Sequence, residues 1–326
     1  VATPVAVALL TELELDDGVA GGLGTAALIC GFIAFDAPAR VRVRWQLCCA
    51  PVVGICAALG VLSSASALLA VAAMAVVATV CGYFVAVSMR LMIAGLTFVL
   101  ALLIAQGLFL DTSEADRALA LGTCGGLMQV ATAAIAWLFW DRESEPFRFG
   151  PAVRGAVAAL RGSLSLHSTP MRHAIRFGGA LAIGVAIYRL AGFDNHGYWV
   201  PLTILFVLKP EENQTAERIA MRAAGTVLGL ILATGLAELM GDDVVPVTIV
   251  LTAAAAFAYA LLAIEYALFT TAITVYVVLL TDTLGSSAFD AAGERGLGTV
   301  LGIAVAGLAF RAFGEIDEER TARGVM

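Results

Sequence analysis

Apolar runs of about 20 residues recur from one end of the chain to the other, and nothing else in the sequence constrains the fold as strongly. About 30 Å of hydrocarbon takes about 20 residues of helix to cross. Composition agrees: 60% of the 326 residues are hydrophobic, 14% are charged, and the mean hydropathy is +0.93. A soluble domain sits near about 45–50% apolar and about 25% charged. The chain therefore reads as an all-α polytopic membrane protein, bound to the lipid bilayer as its first partner. Ten to twelve spans would occupy about 200–240 residues, which leaves no room for a separate soluble domain of useful size.

The runs predict a short first span ending near Leu10, then spans at about 18–35, 45–63, 66–87, 91–110 and 119–140. After a polar stretch, six more follow at about 173–191, 197–208, 219–240, 244–264, 267–284 and 296–313. The simplest plan is twelve transmembrane helices: a six-helix repeat over 1–140, a linker over 141–172, a second six-helix repeat over 173–314 and a tail over 315–326. With the N-terminus inside, 16 of the 19 Lys and Arg residues fall on the cytosolic side, leaving Arg117, Arg189 and Arg295 outside. That is the asymmetry of the positive-inside rule, and it puts both termini and the linker in the cytosol.

An internal repeat supports the plan. At an offset of 178 residues Arg40 falls on Arg218, Arg44 on Arg222, Thr25 on Thr203 and Arg117 on Arg295. Six is even, so the halves share one orientation and form a parallel repeat about the membrane normal. Val1 falls on Gly179, inside span 7, so the first helix reads as short or truncated. Within the linker Val153, Val157, Leu160 and Leu164 make a helical stripe with Arg154 and Arg161 off it. This is an amphipathic helix on the inner membrane surface, or a cytosolic helix packed on the inner ends of the spans. Thr169-Pro170 reads as the cap and first-turn proline of span 7.

Several chemistries are disfavoured. The net charge of -7 comes with no basic patch interleaved with aromatics, so nucleic acid is no partner. The six cysteines lie in the first 124 residues within apolar runs and make no CxxC pair, which reads as packing rather than a metal site or disulfides. The one lysine, Lys209, follows no glycine-rich loop, so no phosphate-binding loop exists. No metal-ligand spacing, cofactor motif or nucleophile with a base partner is visible, and no signal peptide is evident. An enzyme is therefore not expected.

The stretch from His196 to Gly229 is the richest. A short apolar helix opens with Tyr198-Trp199 and Pro201, an inner loop carries Lys209-Pro210, and the next helix holds Arg218 and Arg222 one turn apart. Gly225-Thr226-Val227-Leu228-Gly229 recurs verbatim as Gly298-Thr299-Val300-Leu301-Gly302. Glycines four apart let helices approach closely, so Gly225, Gly229, Gly298 and Gly302 read as packing positions.

The pattern Tyr198, Trp199, Pro201, Leu202, Thr203, then Lys209-Pro210, then Arg222, Gly225, Thr226 and Gly229 resembles the fusaric acid resistance family, also called the aromatic acid exporters. The fold of that family is related to the plant aluminium-activated malate transporters. The resemblance implies an inner-membrane protein that exports organic anions, aromatic carboxylates first among them, along a path between two six-helix halves. In the first half Ala20-Gly21 stands at the place of Tyr198-Trp199, and Cys48-Cys49 and Pro51 replace the Gly-Thr motif.

Arg44 and Arg222, each about one turn inside a span, read either as topology anchors or as an electropositive inner mouth that gathers anions, widened by Arg40 and Arg218. Thr203 and Thr226 offer hydroxyl contacts deeper in. Trp199 and Tyr198, near the outer end of span 8, belong to an aromatic belt or stack on an aromatic substrate. Glu265-Tyr266 is expected to be solvated at an inner junction, and His196 lies near the outer surface. Two function classes remain, an organic-anion transporter or passive channel and a non-transporting scaffold within a larger complex. The sequence leaves open a homo-oligomer or an accessory protein.

Overall fold

The computed structural model describes residues 17–324 except 108–110, 141–148, 167, 192–196, 209–211, 242–243, 263 and 284–287. The expected first span, Lys209, Pro210 and His196 lie outside the described residues. Those described form twelve α-helices and no strand: α1 (Asp17–Gly31), α2 (Ala39–Ser63), α3 (Ala67–Tyr83), α4 (Met89–Gly107), α5 (Ala115–Trp140), α6 (Phe149–Gly162), α7 (Thr169–Leu190), α8 (Trp199–Val207), α9 (Glu212–Met240), α10 (Val244–Leu261), α11 (Tyr266–Thr283) and α12 (Ala288–Gly324).

Local chemistry sets many of the ends. Ser66 caps α3 by accepting from the Leu69 amide at 3.2 Å. Ser168 does the same for α7 through the Met171 amide at 3.3 Å, so the cap sits one residue earlier than Thr169, which is already helical. Between α1 and α2 the chain turns through Ala34 at a φ of 53°. Gln46 Nε2 donates to Ile33 O at 3.2 Å and Arg42 Nη2 to Ala37 O at 3.0 Å, and these bonds hold that left-handed turn in place.

Among the described residues six helices are long and apolar enough to cross a membrane: Ala39–Ser63, Ala67–Ala86, Met89–Gly107, Thr112–Phe139, Ala216–Met240 and Ala292–Arg311. Gly21–Gly31, Val245–Leu261 and Tyr266–Asp282 are apolar but shorter. Helix α7 is long but carries Arg172, Arg176 and Arg189. Helix α8 has only 9 residues, about 14 Å at about 1.5 Å per residue, roughly half a hydrocarbon core. A helix that short is tolerated at membrane depth where protein surrounds it, and every side chain of α8 except Phe206 is buried. Large apolar side chains such as Leu68, Phe139, Ile231 and Leu239 stand exposed on the outside of the bundle, as a lipid-facing surface requires.

The helices of 17–140 and of 169–324 interlock. Helix α7 packs along α3, where a Cβ on Gly82 would stand 3.0 Å from Phe177 and one on Gly178 would stand 2.9 Å from Ala75 O. One core cluster joins α1 to α4 with α7 and α8. A second joins α9 to α11 with Leu28 and Phe32 from the α1 end. Within this second cluster Tyr259 ties α10 to α1 by donating its hydroxyl to Leu28 O at 2.5 Å.

Candidate functional site

Helices α8, α9, α11 and α12 meet at a junction built by small residues. A Cβ on Gly225 would collide with Ala267 O and lie 2.7 Å from Thr270 Cβ, and one on Gly229 would lie 2.6 Å from Thr274 Cβ. These two glycines press α9 onto α11. A Cβ on Gly298 would lie 2.5 Å from Trp199 Cβ, and one on Gly302 2.6 Å from Thr203 Cβ, so the second glycine pair presses α12 onto α8.

Two guanidinium groups enter this junction. Arg222, three residues before Gly225, is 1% exposed, with its Cζ 5.3 Å from the Phe206 ring centroid. Arg295, three residues before Gly298, is 2% exposed, with its Cζ 4.5 Å from the Trp199 ring centroid. Arg295 donates Nε and Nη2 to the hydroxyl of Thr274 at 3.3 and 3.1 Å. Among the described residues, Nε and Nη1 of Arg222, Nη1 of Arg295 and the hydroxyls of Thr226 and Thr270 have no hydrogen-bond partner. Each of these four residues is at most 2% exposed.

Among the described residues no carboxylate pairs with Arg222 or Arg295. The ion pairs Arg90–Asp36 and Arg117–Glu114, both at 3.8 Å, lie at exposed positions elsewhere. Glu294, next to Arg295 in sequence, is half-buried. An uncompensated buried ion costs several kcal/mol, and two of like sign near each other add repulsion. Packing alone does not require that cost.

The residues singled out from sequence divide in two. Arg222, Thr203, Thr226, Trp199 and all four glycines lie at this junction, and Tyr198 stacks on Trp199 at 4.6 Å between ring centroids. Arg218 lies one turn earlier, its Cζ 4.1 Å from the Tyr266 ring. Arg44 and Arg40 are half-buried on α2, where Arg40 lies 6.0 Å from the Trp137 ring centroid. Helix α2 packs against α4 and α5, and α9 against α11 and α12, so the two pairs of arginines belong to different helix clusters.

Two sequence expectations change. Tyr266 is not solvated: it is 6% exposed and donates its hydroxyl to Phe206 O at 3.4 Å. Arg295, expected among outer-loop bases, is inside the bundle. A signal for it exists, since the verbatim repeat extends backwards: Arg295-x-x-Gly298-Thr299-Val300-Leu301-Gly302 copies Arg222-x-x-Gly225-Thr226-Val227-Leu228-Gly229.

An all-helical bundle with an apolar exterior and a buried cationic junction defines a multi-pass membrane protein. Residues 152–309 match the family model described as fusaric acid resistance protein-like. The chain is 37% identical to the inner membrane protein YccS of Escherichia coli over 151 residues, which cover 44% of this chain and 20% of that protein. An uncharacterized protein of Haemophilus influenzae is 30% identical over 153 residues, 47% of this chain and 21% of its own. The uncharacterized protein ORF2 of Neisseria gonorrhoeae is 42% identical over 74 residues, 23% of this chain and 18% of its own. The chain thus matches about a fifth of the length of each of these curated relatives. No solved structure matches it. Its helices and its relatives support a multi-pass location in the inner membrane.

Proposed function

We propose that the protein transports organic anions, aromatic carboxylates first among them, out of the cytosol. The observation that carries the reading is Arg222: a guanidinium 1% exposed, in a helix long and apolar enough to cross a membrane, with Nε and Nη1 unpartnered and no carboxylate paired with it among the described residues. Intramembrane charges that are not paired off mark ion and substrate pathways. A carboxylate entering a low-dielectric passage loses water, and charge-assisted hydrogen bonds from a guanidinium replace it. Hydroxyls of Thr203 and Thr226 are weak enough partners to permit release.

The architecture we propose is a parallel pair of six-helix repeats with twelve spans, both termini and the 141–172 linker in the cytosol, and a pathway between the halves. Helix register supports it. Shifted by 178 residues, α3 spans 245–261 against Val244–Leu261 for α10, and α4 spans 267–285 against Tyr266–Thr283 for α11. Packing partners repeat as well: α2 on α4 and α5 as α9 on α11 and α12, and α1 on α5 as α8 on α12. Reporter fusions in the linker and near Asp242 test the topology, with the linker reporter inside and the other outside.

The functional test is flux of labelled aromatic acids in proteoliposomes, with sulfate and a neutral aromatic as controls. Flux above that of empty vesicles, under a proton gradient or a voltage, is expected. A scaffold that docks a partner through the linker would leave the vesicles no leakier than empty ones. A passive channel would carry the anions under voltage with no response to a proton gradient.

A further inference from the structure

We infer that Arg222 and Arg295, one from each copy of the Arg-x-x-Gly-Thr-Val-Leu-Gly motif, jointly hold one small carboxylate between α8, α9, α11 and α12. The inference rests on the anion reading above and places the binding point inside the second half, with Arg295 as the second guanidinium. The hydroxyls of Thr226 and Thr270 complete the donor set.

Donor chemistry points to an oxyanion. Arg295 spends its Nε and Nη2 edge on Thr274, at 3.3 and 3.1 Å, which orients the group and leaves Nη1 to donate. Arg222 keeps Nε and Nη1, and the two threonine hydroxyls add a donor each. A cation or a neutral apolar molecule would leave these N–H groups unsatisfied. A carboxylate has two oxygens with about four acceptor sites between them, enough for the two guanidinium groups and the hydroxyls together. Its single negative charge also converts the repulsion between two neighbouring guanidinium groups into attraction on both sides. Phe206 under Arg222 and Trp199 under Arg295 close the site with apolar walls.

The first half supplies no second copy. At the 178-residue offset Thr226, Thr270, Thr274 and Trp199 become Cys48, Met92, Leu96 and Gly21. Arg117, in the place of Arg295, is substantially exposed and 3.8 Å from Glu114. One site per chain follows.

Because Arg295 lies on Trp199, that indole reports on the site. The experiment uses the full chain in detergent with Trp45, Trp137 and Trp140 changed to Phe, titrated with benzoate, with benzamide as the neutral control. Benzoate is expected to change Trp199 emission saturably and to raise Tm, and benzamide to do neither. Arg222→Gln and Arg295→Gln should each weaken benzoate binding at least tenfold, whereas Arg117→Gln leaves it within twofold. Arg222→Met and Arg295→Met should raise Tm without ligand, because each removes an uncompensated buried charge, while abolishing the rise with benzoate. The site is overturned if both Gln variants bind benzoate as tightly as the unsubstituted protein, or if both Met variants lower the ligand-free Tm. Flux in proteoliposomes separates the two readings. Flux with benzoate binding untouched by Arg222→Gln and Arg295→Gln removes the site and keeps transport; binding as described with no flux keeps the site and removes transport.

Discussion

At the 178-residue offset Arg117 falls on Arg295, and the two meet opposite surroundings. Arg117 sits near the start of α5, largely exposed, 3.8 Å from Glu114. Arg295 is buried against Trp199 and Thr274. Their helices pack alike, α5 on α1 and α2 and α12 on α8 and α9, so backbone arrangement does not explain the difference. The neighbours do: Gly21 and Leu96 at the first, Trp199 and Thr274 at the second. The glycines also moved. Leu47 and Pro51 hold the places of Gly225 and Gly229, and α2 meets α4 instead through Gly60, where a Cβ would lie 2.8 Å from Ala105 Cβ. Among the described residues, the helices of 17–140 thus bury polar side chains but no charged one, whereas those of 169–324 bury Arg176, Arg222 and Arg295.

The largest effect expected is on assembly. Gly225→Leu drives side-chain atoms into Ala267 O and Thr270 and should cost at least about 1–3 kcal/mol, seen as a lower Tm and a loss of monodisperse protein in size-exclusion chromatography. Leu47→Ala, at the matching position and half exposed, should leave both measurements close to wild type. Equal damage from both would mean that the halves pack in the same way.

Next comes Arg222. Arg222→Ala removes charge-assisted hydrogen bonds worth about 1.5–3 kcal/mol, so flux of aromatic acids should fall about ten- to a hundredfold. Arg222→Lys keeps the charge, loses the planar fork and should fall less. Arg44→Ala, on half-buried α2, should fall less than Arg222→Ala. A reversed order would place the critical charge in the first half.

Tyr259→Phe tests how the halves are joined. The hydroxyl donates to Leu28 O at 2.5 Å, and its loss should lower stability by about 1 kcal/mol, read as a drop in Tm with flux retained. The smallest effect expected is selectivity at Trp199. Trp199→Ala should slow aromatic anions more than aliphatic ones, measured as the ratio of the two fluxes. An unchanged ratio would leave the indole as a platform for Arg295 alone.

Much of the site was legible because its signals are local. The two Gly-Thr-Val-Leu-Gly copies announced close helix contacts, and Arg222, Thr203 and Trp199 sit where those contacts are made. Arg295 was not read, since near the start of an apolar run a basic residue looks the same whether it snorkels outward or turns inward. Tyr266 was missed for a similar reason: beside Glu265 at a helix boundary it looks solvated, yet Arg218 and Phe206 enclose it.

What the sequence determined by itself is the class of architecture, because run length and low charge leave a chain in lipid with helices as its way to satisfy the backbone. It also determined helix order and the places of closest approach, since spacing along a helix decides which residues share a face. Only the tertiary structure decided which α-helices those glycines face, which arginine goes inward, and that among the described residues no carboxylate pairs with Arg222 or Arg295. Those outcomes depend on partners tens of residues away, such as Thr270 and Thr274 on α11 and Trp199 on α8, and side-chain environment is a property of packed neighbours rather than of sequence position.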